Sequence, residues 1–251
     1  MDYLIGIISF IAAFVFSLGG IGGAVILIPI LISLGVPINV ARPVGLFYNT
    51  ISLTGASISN IRNKLLDFRG AIPIIISSFL FAIVGAWVSQ FIPKQIILGL
   101  FIAFLVFSGF MFLFHKRKEL DVYRKDNPIL ALTLIGIFAG LLSGILGIGG
   151  GSIISPLLLM LGFNPKKITT ITAFVVPFSS FSGFLTYWSL GVVDWKVSLI
   201  AAACGLAGAT LGTIFMHKKL DPKTVKKILA VILLLMAVKL SWPLLTSAFH
   251  Q

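Results

Sequence analysis

Cysteine occurs once in the 251 residues, at Cys204, so the chain has no intramolecular disulfide and no multi-cysteine metal site. Charge is sparse too: 10% of the residues are charged, against roughly 25% in a soluble domain. The seven acids are Asp2, Asp67, Glu119, Asp121, Asp126, Asp194 and Asp221, and the histidines are His115, His217 and His250. All fall at tails, in loops or at the edges of apolar runs. A proton relay, a catalytic dyad or a metal site within a membrane would need such groups mid-run, so none is expected, and neither is a cofactor. No Walker motif is present, which removes ATP as the direct energy source. Strict apolar–polar alternation is missing as well, which excludes a β-barrel. The N-terminus, MDYLIGIISF, lacks a basic leader region, so a cleaved signal peptide is not expected.

What the chain has instead is apolar sequence in long blocks. Hydrophobic residues make up 58% of it, over 4–34, 43–61, 70–92, 95–114, 129–161, 168–190, 195–216 and 224–246. About 20 such residues cross a bilayer. The fold class is therefore an all-α integral membrane protein. Its net charge of +12 comes from Lys and Arg in the loops between blocks, so a membrane explains it and a nucleic acid does not.

The chain repeats itself. "LGGIGGAVILIPIL" begins at Leu18 and "LGIGGGSIISPLLL" at Leu146. At an offset of 127, Gly20 matches Gly147, Gly22 and Gly23 match Gly149 and Gly150, and Pro29 matches Pro156. In the same register Asp67-Phe68-Arg69 matches Asp194-Trp195-Lys196, and Gly85 matches Gly212. The expected organisation is a first transmembrane repeat over 1–115, a basic linker over 116–127, and a second transmembrane repeat over 128–251, each with about four hydrophobic segments.

Charge selects the topology. If all eight blocks crossed once, the 19 Lys and Arg would divide almost evenly between the two sides. If the first block of each half makes no net crossing, one side keeps only Arg42, Lys94, Lys196 and Lys239, and the other takes the remaining fifteen. The positive-inside rule favours the second arrangement. Length agrees, because 4–34 as one helix would run about 46 Å through a core of about 30 Å. The first block of each half is thus read as a helical hairpin broken at its glycines. Three net crossings per half make the repeats inverted. That places the linker in the cytoplasm and both termini outside, in a multi-pass protein of the cell membrane.

Non-helical backbone at membrane depth is tolerated where it lines a cavity or is buried in protein. Two tips entering from opposite faces meet near the midplane, each presenting the free amides and positive end of a short second arm. The candidate anion ligands are Gly20, Gly22 and Gly23 in the first tip and Gly149, Gly150, Gly151, Ser152 and Ser155 in the second. Asn49 and Thr50 follow in the first half and Ser179 in the second, among other hydroxyls that include Ser52, Thr172, Ser180 and Ser182. Pro29, Pro156 and Pro177 are read as structural, with Pro177 breaking its helix, and Asp67 and Asp194 as N-caps. Arg42, at a block edge, reads as an interfacial arginine whose charge reaches the water. Small-xxx-small spacing such as Gly140-x-x-x-Gly144 and Gly208-x-x-x-Gly212 reads as helix packing. A structural membrane subunit and a membrane-embedded lipid enzyme are the competing classes, the second disfavoured by the missing buried acids.

The paired motifs "GIGGAVILIPIL" and "GIGGGSIISPLLL", with "GVVDWK" at 191–196 and "GLAGATLGT" at 205–213, resemble the TauE/SafE (sulfite exporter) family over nearly the whole chain. The resemblance implies a transporter, not an enzyme, that exports small sulfur-containing anions such as sulfite or organosulfonates. It assigns the motif positions to Gly22, Gly23, Pro29, Gly149, Gly150, Gly151 and Pro156. Ala24 stands where the family often has glycine or serine, which shifts the expected ligation to the second tip. The expected partners are a small anion and the lipid bilayer, with self-association left open. Another small organic or inorganic anion is the alternative passenger.

Overall fold

The computed structural model describes residues 2–16, 22–62, 67–114, 124, 126–219, 230–231 and 233–241. The described residues are helical, without strands. In chain order the helices are α1 (Asp2–Phe16), α2 (Ala24–Ser33), α3 (Ile38–Arg62), α4 (Phe68–Val88), α5 (Lys94–Phe114), α6 (Ile129–Leu146), α7 (Gly151–Met160), α8 (Pro165–Ser189) and α9 (Trp195–Lys219). Further helical turns cover 230–231 and 233–241. Of the 116–127 linker only residues 124, 126 and 127 are described; His115, Asp221 and about half of the last block lie outside the described residues.

Both leading blocks are broken helices. The 4–34 block is α1 and α2, and the 129–161 block is α6 and α7. α2 and α7 have 10 residues each, about 15 Å, half a bilayer core. α6 has 18 residues, so by length and composition it is one of five helices able to span, with α4, α5, α8 and α9. α3, with 25 residues, is about 37 Å long. Pro177 does not break its helix: α8 runs unbroken from Pro165 to Ser189. A proline costs only one ladder bond, and neighbouring helices hold the segment.

The two halves interlock. Each half's broken helix packs against the other half's later helix, α1 on α9 and α6 on α4. Glycine makes this contact close. Cβ atoms added to Gly136, Gly140 and Gly144 would strike the α4 backbone at Ile74, Ser78 and Ala82, and one on Gly208 would strike Phe10 of α1. These are the small-xxx-small contacts through which membrane helices pack without a hydrophobic drive.

The same contacts give the helix directions. The ascending order 136/74, 140/78 and 144/82 makes α6 parallel to α4, and α9 is parallel to α1 because Gly6 faces Cys204 and Gly208 faces Phe10. α3 and α8 run antiparallel, with Ser57 Oγ bonded to Ala173 O and Gly183 facing Leu46. α2 returns antiparallel along α3, with Ala24 at Asn49 and Ile28 at Gly45.

The outer surface is apolar. Along α4, Ile72, Ile76, Leu80, Ile83 and Trp87 are exposed at helical spacing on the face away from α6. Such a stripe is a surface suited to lipid or to another protein.

One polar cluster ties three segments together at the end of the helix pair α4 and α8. Asp67 caps α4, accepting from the amides of Arg69 and Gly70 at 3.1 and 3.3 Å. Its other oxygen takes the Lys167 ammonium at 2.7 Å and Asn127 Nδ2 at 3.1 Å. Burial pushes the Asp67 carboxyl up, but the bonds from Lys167, Asn127 and Gly70 outweigh it and hold the group below its ordinary value. A depressed carboxylate adds stability above its unfolded pKa of about 3.9 and loses it as pH falls through the folded value. Asp67→Asn should therefore melt below the wild type near pH 7, by no more than about 1 kcal/mol because the pair is partly exposed. The gap should close as the pH drops below about 4, which detergent-solubilised thermal melts across pH will measure.

Candidate functional site

The two tips meet at one asparagine. Asn49 lies in the middle of α3 and is fully buried. Its Oδ1 accepts from the amide of Ala24, the first residue of α2, at 3.2 Å. Its Nδ2 donates to the carbonyl of Ile148, in the break between α6 and α7, at 2.7 Å. A helix start leaves amides without partners, and a break leaves carbonyls; a bilayer core has no water for either. One amide side chain, with a donor and an acceptor, satisfies both.

The glycines are fitted to this side chain. Gly22 and Gly149 have φ of 83° and 70°, in the left-handed region where a Cβ is strained. Space is closed as well: a Cβ on Gly22 would overlap Asn49, and one on Gly149 would come 2.5 Å from Asn49 Nδ2 and 2.8 Å from Ser180 Oγ. On Gly23 it would strike the Tyr48 hydroxyl, which donates to Ser9 O at 3.0 Å. Gly150 is different, since a Cβ there would meet only Ile154 at 3.2 Å, Ala139 at 3.5 Å and Ser179 Oγ at 3.6 Å. Gly20 lies outside the described residues.

The remaining sequence candidates separate into two groups. Thr50 turns its hydroxyl back onto Leu46 O at 2.9 Å, and Ser179 onto Val176 O at 3.2 Å. Such bonds satisfy the side chain locally. By contrast, the Oγ atoms of Ser152, Ser155 and Ser180 are buried and have no hydrogen-bond partner among the described residues. Ser152 and Ser155 stand three apart on one face of the first turns of α7. Ser180 is beside Gly149, immediately before that helix. The N-cap of α7 is Gly150, which has no side chain to cap with. The second tip thus combines an open helix N-terminus with unused hydroxyl donors. At the first tip the start of α2 is already held by Asn49. Pro29 and Pro156 each sit sixth in their ten-residue helices. Asp194 accepts from Val197 N at 3.1 Å and caps α9.

Two features were not legible from sequence. Arg42 is not an interfacial arginine: it is 5% exposed, held between α3, the end of α6 and Tyr187. Tyr187, unremarkable within an apolar block, donates to Gly144 O at 2.8 Å and pairs with Ser89 at 2.9 Å. Among the described residues no group of His, Cys, Asp and Glu is arranged to hold a metal.

A family model described as sulfite exporter TauE/SafE matches residues 5–240. A probable membrane transporter protein of Methanocaldococcus jannaschii is 31% identical, with 92% of this chain and 91% of the relative aligned. The probable membrane transporter protein YunE of Bacillus subtilis is 25% identical over 93% of this chain and 95% of its own. An Arabidopsis thaliana protein named as sulfite exporter TauE/SafE family protein 6 is 38% identical over 89 residues, 36% of this chain and 21% of that protein. No solved structure gives a significant match.

Asn49→Ala leaves the Ala24 amide and the Ile148 carbonyl unpaired where water does not reach. Each unsatisfied group costs about 1–3 kcal/mol. The variant should melt several degrees below wild type in detergent, whereas Thr50→Ala, which removes only a local bond, should melt within about a degree.

Proposed function

This chain belongs to the sulfite exporter TauE/SafE family of membrane transporters, and from that premise we propose that it is a secondary carrier of small sulfur-containing anions. The passenger binds at the start of α7. The observation that carries the reading is the set of buried, unpartnered hydroxyls of Ser152, Ser155 and Ser180 around an uncapped helix N-terminus. Among the described residues Ser9, Ser52, Ser108 and Ser143 also carry buried hydroxyls without a partner, so it is the gathering of three of them at one uncapped helix start that supports the reading. An oxyanion suits that gathering: it accepts from several hydroxyls and backbone amides at once, and the positive end of α7 favours its charge.

The surroundings select for sign. Among the described residues no carboxylate lies near the tips, since Asp2, Asp67, Asp126 and Asp194 are each engaged at helix ends or in loops. A cation would meet donors and no acceptor charge. Sulfite and sulfonates present three oxygens on a compact anion, which suits three hydroxyls and the α7 amides.

The antiparallel run of α3 against its repeat counterpart α8, and the return of α2 along α3, support two inverted halves with re-entrant hairpins. On this topology Arg62, Arg69 and the linker face the cytoplasm of a cell whose membrane holds the protein. The inside-negative potential then drives an anion outward by about 2.3 kcal/mol per charge per 100 mV. Export needs no coupling ion.

Proteoliposomes loaded with sulfite, thiosulfate, sulfate, methanesulfonate or acetate test this. The wild type should release the sulfur oxyanions faster than acetate. Ser152→Ala with Ser180→Ala removes hydroxyls that make no bond in the fold, so the double variant should melt within about 0.5 kcal/mol of the wild type. Its flux should fall at least tenfold, and Gly150→Leu should abolish flux. Normal flux in the double variant would remove α7 from the binding site, and acetate leading the panel would reassign the passenger to carboxylates.

A further inference from the structure

Arg42 is a buried cation without a carboxylate partner among the described residues. The four acids described are all committed elsewhere: Asp2 to Lys196, Asp67 to Lys167, Asp126 to Arg124 and Asp194 to its helix cap. What holds the guanidinium is neutral. Nε donates to Ile38 O at 3.3 Å, in its own helix, and one terminal nitrogen donates to Ile145 O at 3.1 Å. The charge lies 5.2 Å from the centre of the Tyr187 ring. Ile145 belongs to the last turn of α6, where free carbonyls and the negative end of the helix favour a cation.

Those contacts use two of five N–H donors; the others have no partner among the described residues. Carbonyls and one ring only partly offset a charge drawn this far into the protein, and the guanidinium nitrogens without a bond are not among the fully buried polar atoms, so the fork keeps an opening toward a ligand. Position supports the same conclusion. A Cβ on Gly147 would come 2.6 Å from Arg42 Cα, so the residue abuts the opening of the second tip. Gly147 to Gly151 is four peptide steps, at most about 14 Å. The wall beyond it is apolar and aromatic, formed by Leu46, Ala86, Phe184 and Tyr187. In such a wall an ionic contact is strengthened by the low dielectric.

We propose that Arg42 is a second oxyanion-binding residue, a subsite flanking the second tip through which the passenger passes between the α7 amides and the side of the membrane where α3 begins. The inference rests on the anion-carrier reading, but not on α7 being the tighter site. The guanidinium fork pairs bidentately with two oxygens of a sulfite, sulfate or sulfonate group, which an ammonium cannot do. A monovalent sulfonate or bisulfite neutralises the arginine outright, and a sulfite or sulfate dianion leaves one negative charge on the occupied subsite. Chloride, a single spherical acceptor, gains little from the fork.

The test separates the two sites. Thermal melts of the solubilised full chain are titrated with sodium sulfite against sodium chloride at matched ionic strength. They are run for the wild type, Arg42→Lys, Arg42→Gln and the Ser152→Ala/Ser180→Ala double variant. Sulfite should raise the wild-type melting temperature more than chloride does. Arg42→Gln should lose most of that rise, Arg42→Lys should keep part of it, and the serine variant should keep the part that depends on Arg42. In proteoliposomes Arg42→Lys should raise KM for sulfite at least tenfold with a smaller change in the maximal rate. A merely structural arginine would lower every baseline melting temperature and leave the sulfite-dependent rise and KM unchanged. That result, or a wild type that sulfite does not stabilise beyond chloride, overturns the proposal. If only the serine variant behaves as wild type, the tip reading fails and the Arg42 subsite stands.

Discussion

The hydrocarbon core of a bilayer supplies no water to an unpaired amide or carbonyl, and this fold breaks two helices inside a membrane protein. Asn49 is the answer to that constraint at the point where the breaks meet. It caps the start of α2 with its oxygen and takes up the Ile148 carbonyl with its nitrogen. Tyr48, next to it, secures Ser9 O in α1. At the far side of the second tip, Gly147 N, Tyr187 and Arg42 account for the carbonyls of Ser143, Gly144 and Ile145 at the end of α6. The breaks are therefore built, with named partners for the groups they free except the amides at the start of α7, and Gly22, Gly23, Gly147 and Gly149 stand where neighbouring atoms press directly on the backbone.

The repeat makes the two tips comparable, and the comparison shows a division of labour. At the offset of 127, Ser152 and Ser155 correspond to Val25 and Ile28, Ser180 to Leu53, and Asn49 to Val176. The first half contributes the structural asparagine and an apolar short helix. The second half contributes an uncapped short helix with hydroxyls to spare. A broken-helix geometry appears twice, and the asparagine that closes the break and the unpartnered hydroxyls of Ser152, Ser155 and Ser180 lie in different copies. Arg42, opposite Thr169 in the repeat, adds a charge to that asymmetry.

Much of this was legible before any coordinates. Blocks of apolar length gave the helices, and a helix too long for the bilayer with glycines in its middle gave the breaks. The register of Gly, Pro and Asp paired the two blocks that the structure shows as broken helices, α1 with α2 and α6 with α7. The rest was hidden for a physical reason: sequence reports what a residue is, not what it faces. Asn49 was legible as a polar residue in the block after a tip, but its bond to a carbonyl 99 residues away was not. Arg42 read as an interfacial residue because its helix was taken to begin at Pro43, whereas α3 begins at Ile38 and carries the arginine inward. Pro177 read as a break because a proline opposes a helix locally, and tertiary packing overrides it.

The central claim is that the start of α7, buried in this structure, is reached by a small anion during transport. It is tested most directly by a thiol placed there. With Cys204 replaced by serine and Ser152 by cysteine, a small charged methanethiosulfonate should modify the single thiol in proteoliposomes. Methanesulfonate, which does not react with the reagent, should slow that modification in a saturable way. A thiol at position 152 that no charged reagent reaches from either face, while loop cysteines react normally, would contradict the account.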